Sequence, residues 1–316
     1  MTTTARPPAH ITSPNEPFPT PSDLSQATTT HRQGAFTISS RKLPISKAGP
    51  IEEMERSLGI PVPEMIFGDN LVRVAHAPSG WAIEFNAHDA LDAVDKTDRH
   101  MLQVAYARSW SASREQTSAG IRDVVKPFDW SYSTTYRGTV ANNTSPPPPP
   151  PPSSSSSSGD PPPTATTTAT NGDTSKRQFQ PTDKPIPIEL LKRRDPILFF
   201  DEVMLYESEL DDNGISLLSA KVRVHERRML LLCRLFMRLD NVVVRIRDTR
   251  VYVDFDAEEV TREYTVKEAP FADVKQKLLM TGLRPDAVTV ALRDANQIAE
   301  LLPTLEQTLE SVSLKA

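Results

Sequence analysis

A single cysteine, Cys233, stands in a chain of 316 residues. That excludes an intrachain disulfide framework and suits a reducing compartment. Cys233 ends the apolar run Leu230-Leu231-Leu232-Cys233, the setting of a buried, inert thiol rather than of a nucleophile. Glycine is scarce, 11 residues against 29 prolines, and neither a Gly-x-Gly-x-x-Gly loop nor a P-loop is present. The usual cradles for dinucleotides and nucleoside triphosphates are therefore missing. No apolar run approaches the ~20 residues of a membrane span. The best candidate, Met229 to Leu239, is short and carries Arg234 and Arg238. Concentrated positive charge is lacking too: the net charge is −5 and the pI about 5.8, so neither nucleic acid nor membrane is an expected partner. Lys192-Arg193-Arg194 is a small basic cluster, readable as a solvated helix face or as a nuclear-import element.

What the chain has in excess is segments that cannot be buried. Met1 to Gly34 is rich in Thr, Pro and Ser and has no apolar core for a secretory signal, so it is expected to be a disordered tail. From 141 to 179 runs a second such segment, holding Pro146 to Pro152, Ser153 to Ser158, Pro161 to Pro163 and a Thr/Ala tract. A stretch of this composition does not recover the entropy of ordering its backbone. It is expected to be disordered or locally polyproline II, which would suit SH3- or WW-type recognition.

Two blocks remain. In the first, from 35 to 140, Phe36 to Ser40 reads as a strand. A helix follows with Pro50 in its first turn and Gly59 as its stop, presenting Ile51, Met54 and Leu58 on one face. Leu71-Val-Arg-Val-Ala and Trp81-Ala-Ile-Glu-Phe, joined through Pro78-Ser-Gly80, form a hairpin signal. Asp89 to Lys96 reads as a short helix, Met101 to Trp110 as helix or strand, and Trp130 to Tyr136 as a strand.

The second block, from 180 to 314, opens with a helix over Glu189 to Arg194. Strands follow over Ile197 to Leu210, Ser219 to His225 and Val242 to Arg247, with Met229 to Leu239 a buried element of either type. Asp240-Asn241 marks a tight turn, and Asp248-Thr249 breaks the run before Val251 to Phe255. Asp294 to Leu314 reads as a helix interrupted at Pro303, with Leu305, Leu309 and Val312 as its stripe. Short connections between successive strands predict antiparallel meanders. The first block has few strands, and the second has few helices to cover its own. The two therefore read as one α+β domain with a largely antiparallel sheet, a few packing helices and the 141–179 tract as an insertion. Closure entropy grows only logarithmically with loop length, so such an insertion is tolerable.

Catalytic patterns are thin. Asp69, Glu84 and Asp89 could converge with His76 and His88 across the hairpin as a metal or acid–base site, and Phe67-Gly-Asp-Asn70 matches the Gly-Asp pairs of metallophosphatases. A metal-dependent hydrolase built on Asp69, His76 and His88 is thus the alternative function, although further metal-binding segments are missing and Gly-Asp-Asn is an ordinary turn. Around Asp248, the bases Arg245, Arg247 and Arg250 crowd one stretch. They suit cross-strand ion pairing, or a charged rim around an apolar protein-binding patch with Ile246 inside it.

Pro63-Glu-Met-Ile-Phe-Gly-Asp-Asn70, Gly80-Trp-Ala-Ile-Glu-Phe-Asn-Ala-His-Asp-Ala-Leu91 and Val125-Lys-Pro-Phe-Asp-Trp130 resemble, in order, signature segments of the TIPRL-like family. Ile197-Leu-Phe-Phe-Asp-Glu-Val203, Asp240 to Tyr252 and Arg262-Glu-Tyr-Thr265 continue the match, which skips the tail and the Pro/Ser tract. The resemblance implies a non-enzymatic, fungal-type regulator, without a cofactor, that binds catalytic subunits of type 2A protein phosphatases in TOR signalling. An associated adaptor subunit is a further implied partner, and the location implied is cytoplasmic and nuclear. Implied partner contacts are Asp89, Ile186, Ile246 and Asp248, to which the crowded bases add Arg245 and Arg250. A relative has Met-Asn-Asp where this chain has Ile246-Arg247-Asp248, so an added charge stands at Arg247.

Overall fold

The computed structural model describes residues 18–96, 128–142, 177–210 and 213–315. Structure begins earlier than expected. Helix α1 (Pro21–Gln26) is opened by Thr20, whose hydroxyl accepts from the Asp23 N–H at 3.2 Å while the Asp23 carboxylate accepts from the Thr20 N–H. Strand β1 (Thr28–Gln33) then pairs along its length with β2 (Phe36–Arg41). The expected tail is corrected at residues 18–33: pairing to a buried strand supplies what a polar sequence lacks.

Helix α2 (Ala48–Leu58) ends at Gly59, whose φ of 71° is the left-handed C-cap that a glycine allows. After β3 (Met65–Ile66), the hairpin β4 (Leu71–His76) and β5 (Trp81–Asn86) forms as the alternation predicts, and Asn86 caps α3 (Ala87–Asp92). Trp130 to Tyr136 is not a strand. Ser131 and its hydroxyl bond the Asp129 carboxylate at 3.0 and 2.7 Å, and these local bonds outcompete a ladder; one bridge, Thr134 to Val94, remains. At Gly138 (φ 89°) the chain passes so close to β5 that a Cβ would lie 2.7 Å from the Phe85 ring. Strand β6 (Thr139–Asn142) follows, completing a five-stranded sheet in the order β1-β2-β4-β5-β6.

The expected insertion is trimmed at both ends. Residues 141 and 142 belong to β6, and after the return Phe179 packs edge-on against Trp81 with Arg262 over its ring. The Pro/Ser run and Met101 to Trp110 lie outside the described residues. Beyond β7 (Gln180–Pro181), α4 (Ile188–Leu191) is shorter than the expected helix.

Five long strands then form a meander: β8 (Phe199–Glu209), β9 (Gly214–Val224), β10 (Arg228–Leu239), β11 (Val243–Asp254) and β12 (Glu259–Pro270). Asn241 makes the β10–β11 turn with φ 62°. No break occurs at Asp248-Thr249; β11 runs through, because Asp248 meets Arg234 on the neighbouring strand. Helices α5 (Phe271–Met280), α6 (Pro285–Ala291) and α7 (Ala295–Ala299) follow. The expected C-terminal helix then becomes β13 (Thr304–Ser313), since Pro303 stops the helix and the open edge of β12 offers a full ladder. The eight-stranded sheet reads β3-β8-β9-β10-β11-β12-β13-β7, antiparallel throughout.

The two sheets face each other. Phe36, Val74, Trp81 and Phe85 from the smaller meet Leu205, Val222, Leu231, Cys233 and Val251 from the larger in one continuous core. Burial pushes the Cys233 thiol far above its ordinary pKa. On the far side of the larger sheet, Phe236, Val244 and Ile246 pack under α5, α6 and α7 through Val274, Leu278, Val288 and Ile298. Because the shared core draws on both sides of the insertion, the chain forms one α+β domain of three layers.

Candidate functional site

The outer face of the eight-stranded sheet, the one turned away from the smaller sheet, carries a connected network of ion pairs. Side chains alternate along β10, so Arg228, Leu230, Leu232, Arg234 and Phe236 share this face. Arg234 grips Asp248 with Nε to Oδ1 and Nη2 to Oδ2 both at 2.7 Å, and its remaining Nη1 donates to Asn296 of α7 at 2.9 Å. Arg250 stands 3.5 Å from Asp248 and 2.8 Å from Glu263, which also accepts from Gln307 at 2.6 Å. The network crosses four strands and docks α7 onto them. Its charges are satisfied by one another.

The same face carries a strap over residues 183–198. Arg228 donates to the Leu190 carbonyl at 2.7 Å and to the Asp195 carboxylate, which it holds below the usual carboxylate range. The ring Nδ1 of His225 lies 2.9 Å from the Pro196 carbonyl, and Leu198 N–H donates to Val224. Between the strap and the helical layer, Leu230, Leu232 and Arg250 remain half-buried.

The six residues singled out in the sequence are not one surface. Ile246 and Asp248 lie on the outer face beneath the helices with almost no exposure, and Ile186 is buried in the strap. The apolar patch expected inside the charged rim is not open at Ile246, because α5 to α7 cover it. Arg250 is about one-third exposed on the same face. Arg245 points to the opposite face, where it meets Glu268 at 2.5 Å and Ser133 at 2.8 Å. Burial and Arg245 together lower the neighbouring Arg247. Asp89 belongs to α3 on the smaller sheet. Burial pushes its carboxyl up, but bonds from Thr139, Asn86 and His88 outweigh that and hold it below the usual range. About a third of its side chain faces solvent.

The hydrolase cluster does not assemble. His76 ends β4 beside Trp81, whereas Asp69 precedes Leu71 and His88 follows Asn86 at the other end, about 17 Å along the strand. Among the described residues, no three His, Cys, Asp or Glu side chains converge on a metal position. No helix there is long and apolar enough to cross a membrane. Sequence reading missed Arg234 and Arg228 as anchors. The signal was present, since both share the period-two face of Leu230, Leu232 and Phe236.

The sequence model of the TIP41-like family matches residues 65–275. A TIP41-like protein of Rattus norvegicus is 35% identical over 280 residues, covering 88% of this chain and 88% of its own. The type 2A phosphatase activator TIP41 of Saccharomyces cerevisiae is 34% identical over 293 residues, covering 88% of this chain and 72% of its own. Its Schizosaccharomyces pombe namesake is 28% identical over 274 residues, covering 87% and 94%. With the family match spanning most of the three-layered core, the chain belongs to the TIP41-like family.

Proposed function

We propose that this protein is a non-enzymatic regulator that binds type 2A protein phosphatases through their catalytic subunits, with an adaptor subunit as a further partner, in TOR signalling. The observation that carries the reading is likeness over 88% of the chain to a relative named as a type 2A phosphatase activator. A large sheet face whose charges are internally paired, flanked by a fixed strap, also suits recognition of a protein surface better than bond-breaking chemistry. Asp89 and Arg250 are the contacts with side chains accessible to a partner; Ile186, Ile246 and Asp248 act by holding the outer face in shape, and Arg245 by tying the opposite face to Glu268 and Ser133. The proposed location is the cytoplasm and nucleus. The test is affinity capture of the full chain from a cell lysate, with phosphatase assay and identification of the captured proteins. Type 2A catalytic subunits in the wild-type capture, reduced with Asp89→Leu, are expected; their absence from the wild-type capture rejects the reading.

A further inference from the structure

Buried polar atoms are almost always hydrogen-bonded, so the exceptions call for an account. Two of them sit together on the inner face of the larger sheet, the side away from the strap and from α5 to α7. Nε of Arg247 and the hydroxyl of Tyr264 are both sealed from solvent, with no hydrogen-bond partner among the described residues. Arg247 lies opposite Val266, and Thr249 opposite Tyr264, in the β11–β12 register, which makes Arg247 and Tyr264 diagonal neighbours on one face. Tyr264 as a whole is 2% exposed.

Charge is missing there as well as hydrogen bonds. Arg245, two residues away on the same face, is taken by Glu268 at 2.5 Å and Ser133 at 2.8 Å. Arg137 lies over the Tyr264 ring at 4.2 Å and spends its guanidinium on Thr308 at 3.3 Å and Glu306 at 3.2 Å. The third acid, Asp129, is turned to Ser131, whose N–H and hydroxyl donate to it at 3.0 and 2.7 Å, and burial still pushes its carboxyl up. Of the three bases only Arg247 has no ion pair or hydrogen bond among the described residues; Asp129 and Glu268 act on it from beyond ion-pair distance. A buried guanidinium is disfavoured unless something negative completes it. Water would fill the gap between Nε and the hydroxyl but leave the charge uncompensated.

We propose that Arg247 and Tyr264, framed by Arg137 and Arg245, form a binding site for a small oxyanion, a carboxylate or a phosphate group. The anion accepts from Arg247 Nε and from the Tyr264 hydroxyl in charge-assisted bonds, while Arg137 and Arg245 supply the surrounding positive field. It enters past Arg137 and Glu306, whose side chains are 31% and 50% exposed. Because Ser133 and Arg137 belong to the segment that crosses β11 and β12, an occupied site ties that segment to the larger sheet. The site lies across the sheet from the outer-face network and does not rest on the phosphatase reading.

The experiment follows thermal melts and calorimetric titrations of the full chain with sodium phosphate and, separately, sodium acetate at constant ionic strength, with chloride as the reference anion. The variants are Arg247→Met and Tyr264→Phe, with Arg73→Met as a control whose side chain is exposed on β4. Tyr264→Phe removes one oxygen and keeps the test open should Arg247→Met not fold. Phosphate, acetate or both are expected to raise the wild-type melting temperature saturably. Affinity is expected to be about tenfold or more lower in both site variants and unchanged in the control. A response to phosphate alone assigns a phosphate group, and one to acetate alone a carboxylate. Responses no larger than with chloride, or equal in wild type and both site variants, overturn the site and leave the gap to ordered water.

Discussion

Arg234 and Asp248 face each other across β10 and β11 and share two parallel N–H···O bonds of 2.7 Å beneath α7. Neither is a surface residue, with side chains 10% and 1% exposed. A substitution at either is therefore first a change of fold and only then of binding.

Asp248→Leu leaves the Arg234 guanidinium buried without its main partner, and removing one half of a buried pair costs about 3–5 kcal/mol. Urea denaturation should show a lowered midpoint. The double variant Arg234→Met/Asp248→Leu should recover most of the loss, because no charge remains to be desolvated. A single variant as stable as wild type contradicts the geometry.

His76 gives a pH dependence. Its ring is fully buried against Phe36, with Nδ1 on Ser79 at 2.8 Å and Nε2 3.8 Å from Glu258. Burial lowers its pKa below the ordinary 6.5; Glu258 opposes this and Arg177 adds to it. Above the unfolded value both states are neutral and the stability is fully present. As pH falls below it, the unfolded chain takes a proton that the folded chain refuses, so stability declines until the folded pKa is passed. His76→Gln should flatten part of the slope of urea midpoint against pH between about pH 7.5 and pH 5.

Gly138→Ala forces a side chain into a left-handed backbone at φ 89° and against Phe85 and Ile83. The Phe85 ring and the Ile83 side chain are both fully buried, so a loss of roughly 1–3 kcal/mol is expected. A thermal melt within a degree of wild type would show that the chain relaxes there.

The Pro/Ser tract should be dispensable for the fold if the cut spares both roots. Replacing residues 145–174 by a short Gly/Ser linker is expected to leave the melting temperature nearly unchanged, since loop length enters only logarithmically. Extending the deletion through Phe179 removes the ring packed on Trp81 and beneath Arg262, and should lower it.

Much of the meander was legible because period-two alternation survives wherever one face is buried, as in β9 and the β4–β5 hairpin. The misreadings share a physical cause. Leu305, Leu309 and Val312 recur at helical spacing, yet the segment forms β13, since pairing with β12 outweighs a weak stripe. Asp248 looked like a breaker because its partner, Arg234, lies on another strand. The buried state of Ile246 was hidden for a related reason: α5 and α6, which cover it, come from a stretch with no motif to announce them. Asp89 was the clearest of the site residues in sequence, and there local capping by Asn86 fixes its position.

Cys233 lies sealed between the two sheets, and its thiolate is strongly disfavoured. To a thiol-directed reagent, the folded protein is therefore blank. A cysteine introduced at Phe200, Asp89 or Arg250 would be labelled selectively without first removing the native one. Fluorophores or cross-linkers can then be mounted on one chosen face at a time, and the route by which a partner approaches becomes directly readable.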